Sequence, residues 1–138
     1  MHPRIAIGGA ASSMSRMACG PANTDDHARN HAAFWDGKTL SLTPAYDICP
    51  QPRTGGEVSQ AMGIGGHRGN LSTLDNVRSV CQRFMLSHDE ATALIDQQER
   101  IIRAEWETVC DEGNLPPGGR GRLWQGAVLN PFCFEGWR

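Results

Sequence analysis

No apolar run in these 138 residues approaches the roughly 20 that a membrane-spanning helix needs, so the pattern predicts no transmembrane segment. Excess charge of one sign is missing too. Thirteen basic against 15 acidic residues leave a formal charge of -2, which supplies no overall attraction to nucleic acid or to an anionic membrane. The cysteines, Cys19, Cys49, Cys81, Cys110 and Cys133, contain no Cys-x-x-Cys pair and are odd in number. A zinc knuckle wants closer ligands and a disulfide framework an even count, so reduced cytosolic thiols are expected. The opening residues make a poor signal peptide, because Gly8-Gly9 interrupts the apolar stretch and Arg16 follows. Together these absences predict a cytoplasmic protein.

What is present is one domain's worth of chain, and a globular chain of this size buries roughly two thirds of its unfolded surface. Residues 1–22 are rich in small residues and lack periodicity over most of their length, which predicts an irregular segment. Met14 to Ala22 is only a weak helix candidate, interrupted by Gly20-Pro21. The domain proper is expected over 23–138. His31 to Trp35 and Thr39 to Leu42 flank Asp36-Gly37-Lys38 and predict a small β-hairpin. Pro50 to Gly56 is a loop. Gly63-Ile64-Gly65-Gly66-His67-Arg68-Gly69 invites comparison with a phosphate loop but misses the Gly-x-Gly-x-x-Gly spacing by one position, and no Lys-Ser/Thr follows. A glycine-rich turn between an extended segment and a helix is expected there.

From Ser72 the pattern turns helical. Leu74, Val77, Val80, Cys81, Phe84 and Met85 recur at helical spacing behind a Ser72 or Thr73 cap. Ser87-His88-Asp89-Glu90 repeats the start signal, and Ala91, Leu94, Ile95, Ile101, Ile102 and Trp106 carry a second helix to about Cys110. Gly113 to Gly119 reads as a loop, Arg120 to Leu129 as a last short helix, and Pro131 as its stop. Phe132, Phe134 and Trp137 are expected to dock on the helices, since so apolar a tail left loose invites aggregation. The fold class predicted is mainly α with one small β-hairpin.

The chemistry sits in Thr24-Asp25-Asp26-His27-Ala28-Arg29-Asn30, answered by Thr43-Pro44-Ala45-Tyr46-Asp47 after the hairpin. An acid, an amide five positions on and a second acid are the groups needed to hold magnesium and the end of a nucleoside triphosphate. Asp-x-x-x-x-Asn is also the spacing of a protein-kinase catalytic loop, in which the acid orients the attacking hydroxyl and the amide holds metal. Counting back from Asn30 makes Asp25 the candidate catalytic base and Asp26 its neighbour. His27 either braces this loop through a ring hydrogen bond or reaches the transferred phosphate. Arg29 is read as a loop salt bridge or phosphate contact, and Tyr46 as packing beneath the loop. An acyltransferase or metallohydrolase using Asp and His ligands is a distant third possibility, because His27 and His31 stand four apart without a helix-borne Glu between them.

At Asn23 to Asn30, Leu42 to Asp47 and Ser72-Thr73-Leu74-Asp75-Asn76 the chain resembles the C-terminal half of the HipA family, the serine/threonine kinase toxins of bacterial toxin–antitoxin modules. The resemblance runs from about Asn23 to Trp137. It implies a protein-kinase-like C-lobe in which Asn30 and Asp47 ligate Mg2+, ATP is the phosphoryl donor and a protein Ser or Thr is the substrate. It also implies an antitoxin partner of the HipB type, while the charge balance leads us to expect no direct binding to nucleic acid. Neither a glycine-rich phosphate loop nor a lysine above the phosphates is present. Positioning of reactants supplies roughly 7–11 kcal/mol, so losing half the clamp costs orders of magnitude in rate. A truncated or frame-shifted remnant, weak or inactive alone, is therefore expected. The alternative is a non-catalytic binding module that pairs with an antitoxin-like partner.

Overall fold

A computed structural model describes residues 23, 25–49, 51 and 59–137. The expectations for residues 1–22 and for most of the loop around Pro50 to Gly56 lie outside the described residues. Among those described, the fold is mainly α with a single two-stranded hairpin. None of the described helices is long and apolar enough to cross a membrane.

The hairpin pairs β1 (Ala33–Trp35) with β2 (Leu40–Leu42), antiparallel, with Phe34 opposite Ser41. Asp36 makes its turn: the carboxylate accepts from the backbone N–H groups of Lys38 (2.8 Å) and Thr39 (2.7 Å). Gly37 adopts φ +97°, which costs a glycine nothing. Past β2, the Thr43 N–H and hydroxyl both donate to the Ala32 carbonyl, so the returning chain stays beside the outgoing one up to the site.

Helix α1 (Leu74–Ser79) starts at Thr73, whose hydroxyl accepts from the Asn76 N–H. It is shorter than the apolar spacing predicts. The Ser79 hydroxyl donates back to the Asn76 carbonyl and Val80 leaves helical geometry (φ -105°, ψ 10°). Cys81–Phe84 then form a 3-10 turn that Met85 ends at φ 57°. The tighter turn keeps Cys81 wholly buried, and the periodicity survives although the α-helix does not.

Helix α2 (His88–Glu112) begins with a full capping box: Ser87 Oγ accepts from the Glu90 N–H, and the Glu90 carboxylate accepts from the Ser87 N–H. Its inner face places Ala91 and Ile95 against α1. Helix α3 (Pro117–Leu123) starts three residues before the expected Arg120, inside the stretch read as a loop. Pro117 suits a first helical turn, where its missing N–H goes unneeded, and Arg120 pins the helix to Glu107 and Asp111 of α2. The chain continues through a π-helical turn, Trp124–Val128, that lays Trp124 on Trp106 with ring centroids 5.1 Å apart.

The core gathers Ile64, Leu74, Val77, Val80, Cys81, Ala91, Ile95 and Trp137. The aromatic tail docks as predicted: Trp137 is buried with the Arg78 guanidinium 4.7 Å from its ring centroid, and Phe134 packs at the edge of the same cluster. Of the described cysteines, Cys81, Cys110 and Cys133 are buried and Cys49 is exposed.

The glycine-rich turn folds back on itself. Ser59 bridges to Leu71 and Gly66 to Gly69, and the fully buried Asn76 side chain closes the turn by accepting from the Arg68 N–H and donating to the Gly69 and Leu71 carbonyls.

Candidate functional site

The candidate site is built from two loops joined by the hairpin. The first enters at Asp25 and winds into a 3-10 turn over Ala28–Asn30, in which the Asn30 N–H donates to the His27 carbonyl (2.9 Å). A single short turn leaves its side chains free to point in several directions, and two Asp–His pairs fix them. His27 Nε2 lies 2.8 Å from Asp25 Oδ1. His31 Nε2 lies 2.9 and 3.0 Å from the two Asp26 carboxylate oxygens. The first pair is mostly exposed and the second more sheltered, with the Asp26 side chain 18 % accessible.

The second loop returns from β2 through Thr43 to Asp47. Asp47 sits at φ 55°, a left-handed conformation that few side chains other than Asn and Asp tolerate. Two hydrogen bonds tie this loop to the first: the Tyr46 hydroxyl donates to the Arg29 carbonyl at 2.6 Å, and the Asn23 amide donates to the Asp47 carbonyl at 3.4 Å. Tyr46 was expected beneath the loop. It stays exposed and reaches across instead, because its hydroxyl finds a carbonyl that the 3-10 turn leaves open.

Asn23, Asp26, Asn30, His31, Ala45, Tyr46 and Ile48 line a concave space of about 300 Å³ that opens to solvent. Much of that space is open to solvent, so the cavity is a shallow recess between the two loops. Asn30 therefore faces the cavity together with the residues on either side of Asp47. Asp25, His27 and Asp47 are not among its lining residues. Among the described residues, no three His, Cys, Asp or Glu side chains converge as metal ligands. Of the two expected metal ligands, Asn30 lines the cavity and Asp47 lies between two residues that do, Tyr46 and Ile48; an amide oxygen and a carboxylate are the donor types that magnesium takes alongside water and phosphate.

Residues 16–106, about two thirds of the chain, match the family described as the HipA-like C-terminal domain. The chain belongs to this family. It is a HipA-family, toxin-related protein, and no curated protein or solved structure matches it. The matched stretch of this HipA-like chain takes in both loops, the hairpin, α1 and the first part of α2. It begins at Arg16, seven residues ahead of Asn23, and ends at Trp106, so α3 and the aromatic tail lie beyond it.

Sequence reasoning assigned no role to Asn23 or Asp26 and weighed His31 only beside His27 as a metallohydrolase ligand; all three line the cavity of this HipA-like domain. The signal for the second pair was an acid and a histidine five apart across a short turn, a spacing that no helix or strand brings together and a 3-10 turn does. The Arg29 side chain, read as a salt bridge or phosphate contact, forms no ion pair among the described residues.

Proposed function

We propose that this chain carries the catalytic and magnesium loops of a HipA-type serine/threonine kinase, which transfers the γ-phosphoryl group of ATP to a protein hydroxyl. The observation that supports it most is that the Asn30 loop and the Asp47 loop, far apart in sequence, are bonded to each other around one shared cavity.

In this function Asp25 accepts the proton of the attacking Ser or Thr hydroxyl, and His27, 2.8 Å away, holds that carboxylate in place. The Asn30 amide oxygen and the Asp47 carboxylate would hold Mg2+. Magnesium supplies charge neutralisation on the phosphoryl oxygens when bound. The Asp26–His31 pair forms part of the cavity wall and keeps it in place.

A binding role is the second reading, and one observation favours it. Phe34 and Trp35, consecutive on β1 and so on opposite faces of the hairpin, are 65 % and 57 % exposed. These exposed rings are the contacts that a partner would cover, and an antitoxin of the HipB type is the partner proposed for them.

Calorimetric titration of the chain with ATP in the presence and absence of Mg2+, beside Asp47→Ala, tests the kinase reading. Magnesium-dependent binding that Asp47→Ala abolishes is the expected result. No binding at millimolar ATP by a folded sample would leave the binding-module reading.

A further inference from the structure

We propose that the Tyr46 hydroxyl is a positioning group for the magnesium site: through its bond to the Arg29 carbonyl it sets Asn30 against Asp47. This rests on the reading of Asn30 and Asp47 as the two magnesium ligands. Tyr46 immediately precedes Asp47, and the carbonyl it holds belongs to Arg29, which immediately precedes Asn30. The bond therefore joins the neighbours of the two ligands.

The peptide unit involved makes the link rigid. The Arg29 carbonyl and the Asn30 N–H belong to one planar peptide group. Its N–H is fixed by the His27 carbonyl at 2.9 Å, and its C=O by the Tyr46 hydroxyl at 2.6 Å. With both ends held, the plane cannot rotate, and the Asn30 backbone inherits its orientation. At the other end, Asp47 follows Tyr46 by one peptide bond and occupies φ 55°, a backbone conformation few residues adopt. The Asn23 amide bond to the Asp47 carbonyl, at 3.4 Å, is too long to hold the loop alone.

Removing the hydroxyl should leave the fold unchanged, because Tyr46 is 44 % exposed and belongs to neither core nor helix. Its loss should appear in the metal. A site with two protein ligands depends on their mutual placement, and losing one ordinary hydrogen bond changes an equilibrium about fivefold.

The experiment compares wild type, Tyr46→Phe and Asp47→Ala by titration with Mg2+ at fixed ATP, by thermal unfolding, and by hydrogen exchange of the segments around 25–31 and 44–48. The expected result for Tyr46→Phe is an unchanged Tm, about fivefold weaker apparent magnesium affinity that excess Mg2+ overcomes, and faster exchange in both segments together. Tyr46→Phe with wild-type magnesium affinity would overturn the proposal while the kinase reading stands. Should wild type bind no Mg2+-ATP, both the ligand reading and the positioning role fail, and coupled exchange would show only that the hydroxyl ties two loops. A lowered Tm with unchanged affinity in the folded protein would make Tyr46 structural and also overturn it.

Discussion

The Asn76 side chain occupies the space that a Cβ on Gly66 would need. A Cβ there would lie 2.9 Å from the Asn76 carbonyl oxygen and closer still to Asn76 Oδ1 and Ser79 Oγ. One is a backbone carbonyl, one belongs to the fully buried Asn76 amide, and the partly buried Ser79 hydroxyl is held by its bond to that same carbonyl. Gly66→Ala should therefore destabilise by about 1–3 kcal/mol, as overpacking does. Asn76→Ala should cost a similar amount, about 1–3 kcal/mol, by orphaning the Arg68 N–H and the Gly69 and Leu71 carbonyls. Because the two residues share one contact, the double variant should lose less than the sum. Denaturant unfolding of the three variants checks this, and additive losses would refute the shared contact.

The tail holds the core closed through Trp137, which is 4 % exposed. Trp137→Ala should cost about 3–5 kcal/mol, the usual loss for a buried indole. Trp137→Phe should be much milder. The indole N–H is buried without a hydrogen-bond partner among the described residues, so removing it relieves a desolvated donor while most of the ring contact with Arg78 survives. Thermal unfolding separates the two variants; equal losses would mean that the indole nitrogen does have a partner.

The turn of the hairpin should respond to acid. The Thr39 and then the Lys38 backbone N–H groups bind the Asp36 carboxylate and hold its pKa below the ordinary range. A depressed folded pKa means that the carboxylate stabilises the turn above the unfolded value, about 3.9, and that this support is lost as pH falls through the folded value. The Lys38 and Thr39 amide resonances should therefore move toward unfolded positions below about pH 4. Asp36→Asn, which keeps an acceptor that does not titrate, should hold them in place. Identical acid responses in the two proteins would assign the transition to another group.

Much of this architecture could be read before any coordinates. Ser87 and Glu90 announce α2 because a capping box needs only residues three apart, and the Asp36-Gly37 pair announces the hairpin because the turn is local chemistry. What the sequence hid depends on contacts between distant residues. Helix α3 begins among glycines of low helix propensity because Arg120 finds Glu107 and Asp111 on another helix. Helix α1 ends early although its apolar spacing continues, since a 3-10 turn buries nearly the same positions. At the candidate site, counting residues named Asp25, Asn30 and Asp47, but the Tyr46–Arg29 bond and the Asp26–His31 pair join side chains that no periodicity aligns.

The two neighbouring acids give the sharpest division of labour to test. Asp25 has a mostly exposed carboxylate beside His27, free to meet an incoming hydroxyl, whereas both oxygens of Asp26 are engaged by His31. In the proposed kinase, Asp25→Asn should keep Mg2+-ATP binding and lower phosphoryl transfer by about 10²–10⁴, the usual contribution of a general base. Asp26→Asn leaves His31 with a weaker, uncharged partner. It should loosen the cavity wall, cost about 1 kcal/mol in stability, and change transfer by less than about tenfold. Transfer of labelled γ-phosphate to protein, measured alongside nucleotide affinity, distinguishes them. A larger loss of transfer in Asp26→Asn than in Asp25→Asn, at equal affinity, would shift the catalytic register by one residue and make His31 the group that holds the base.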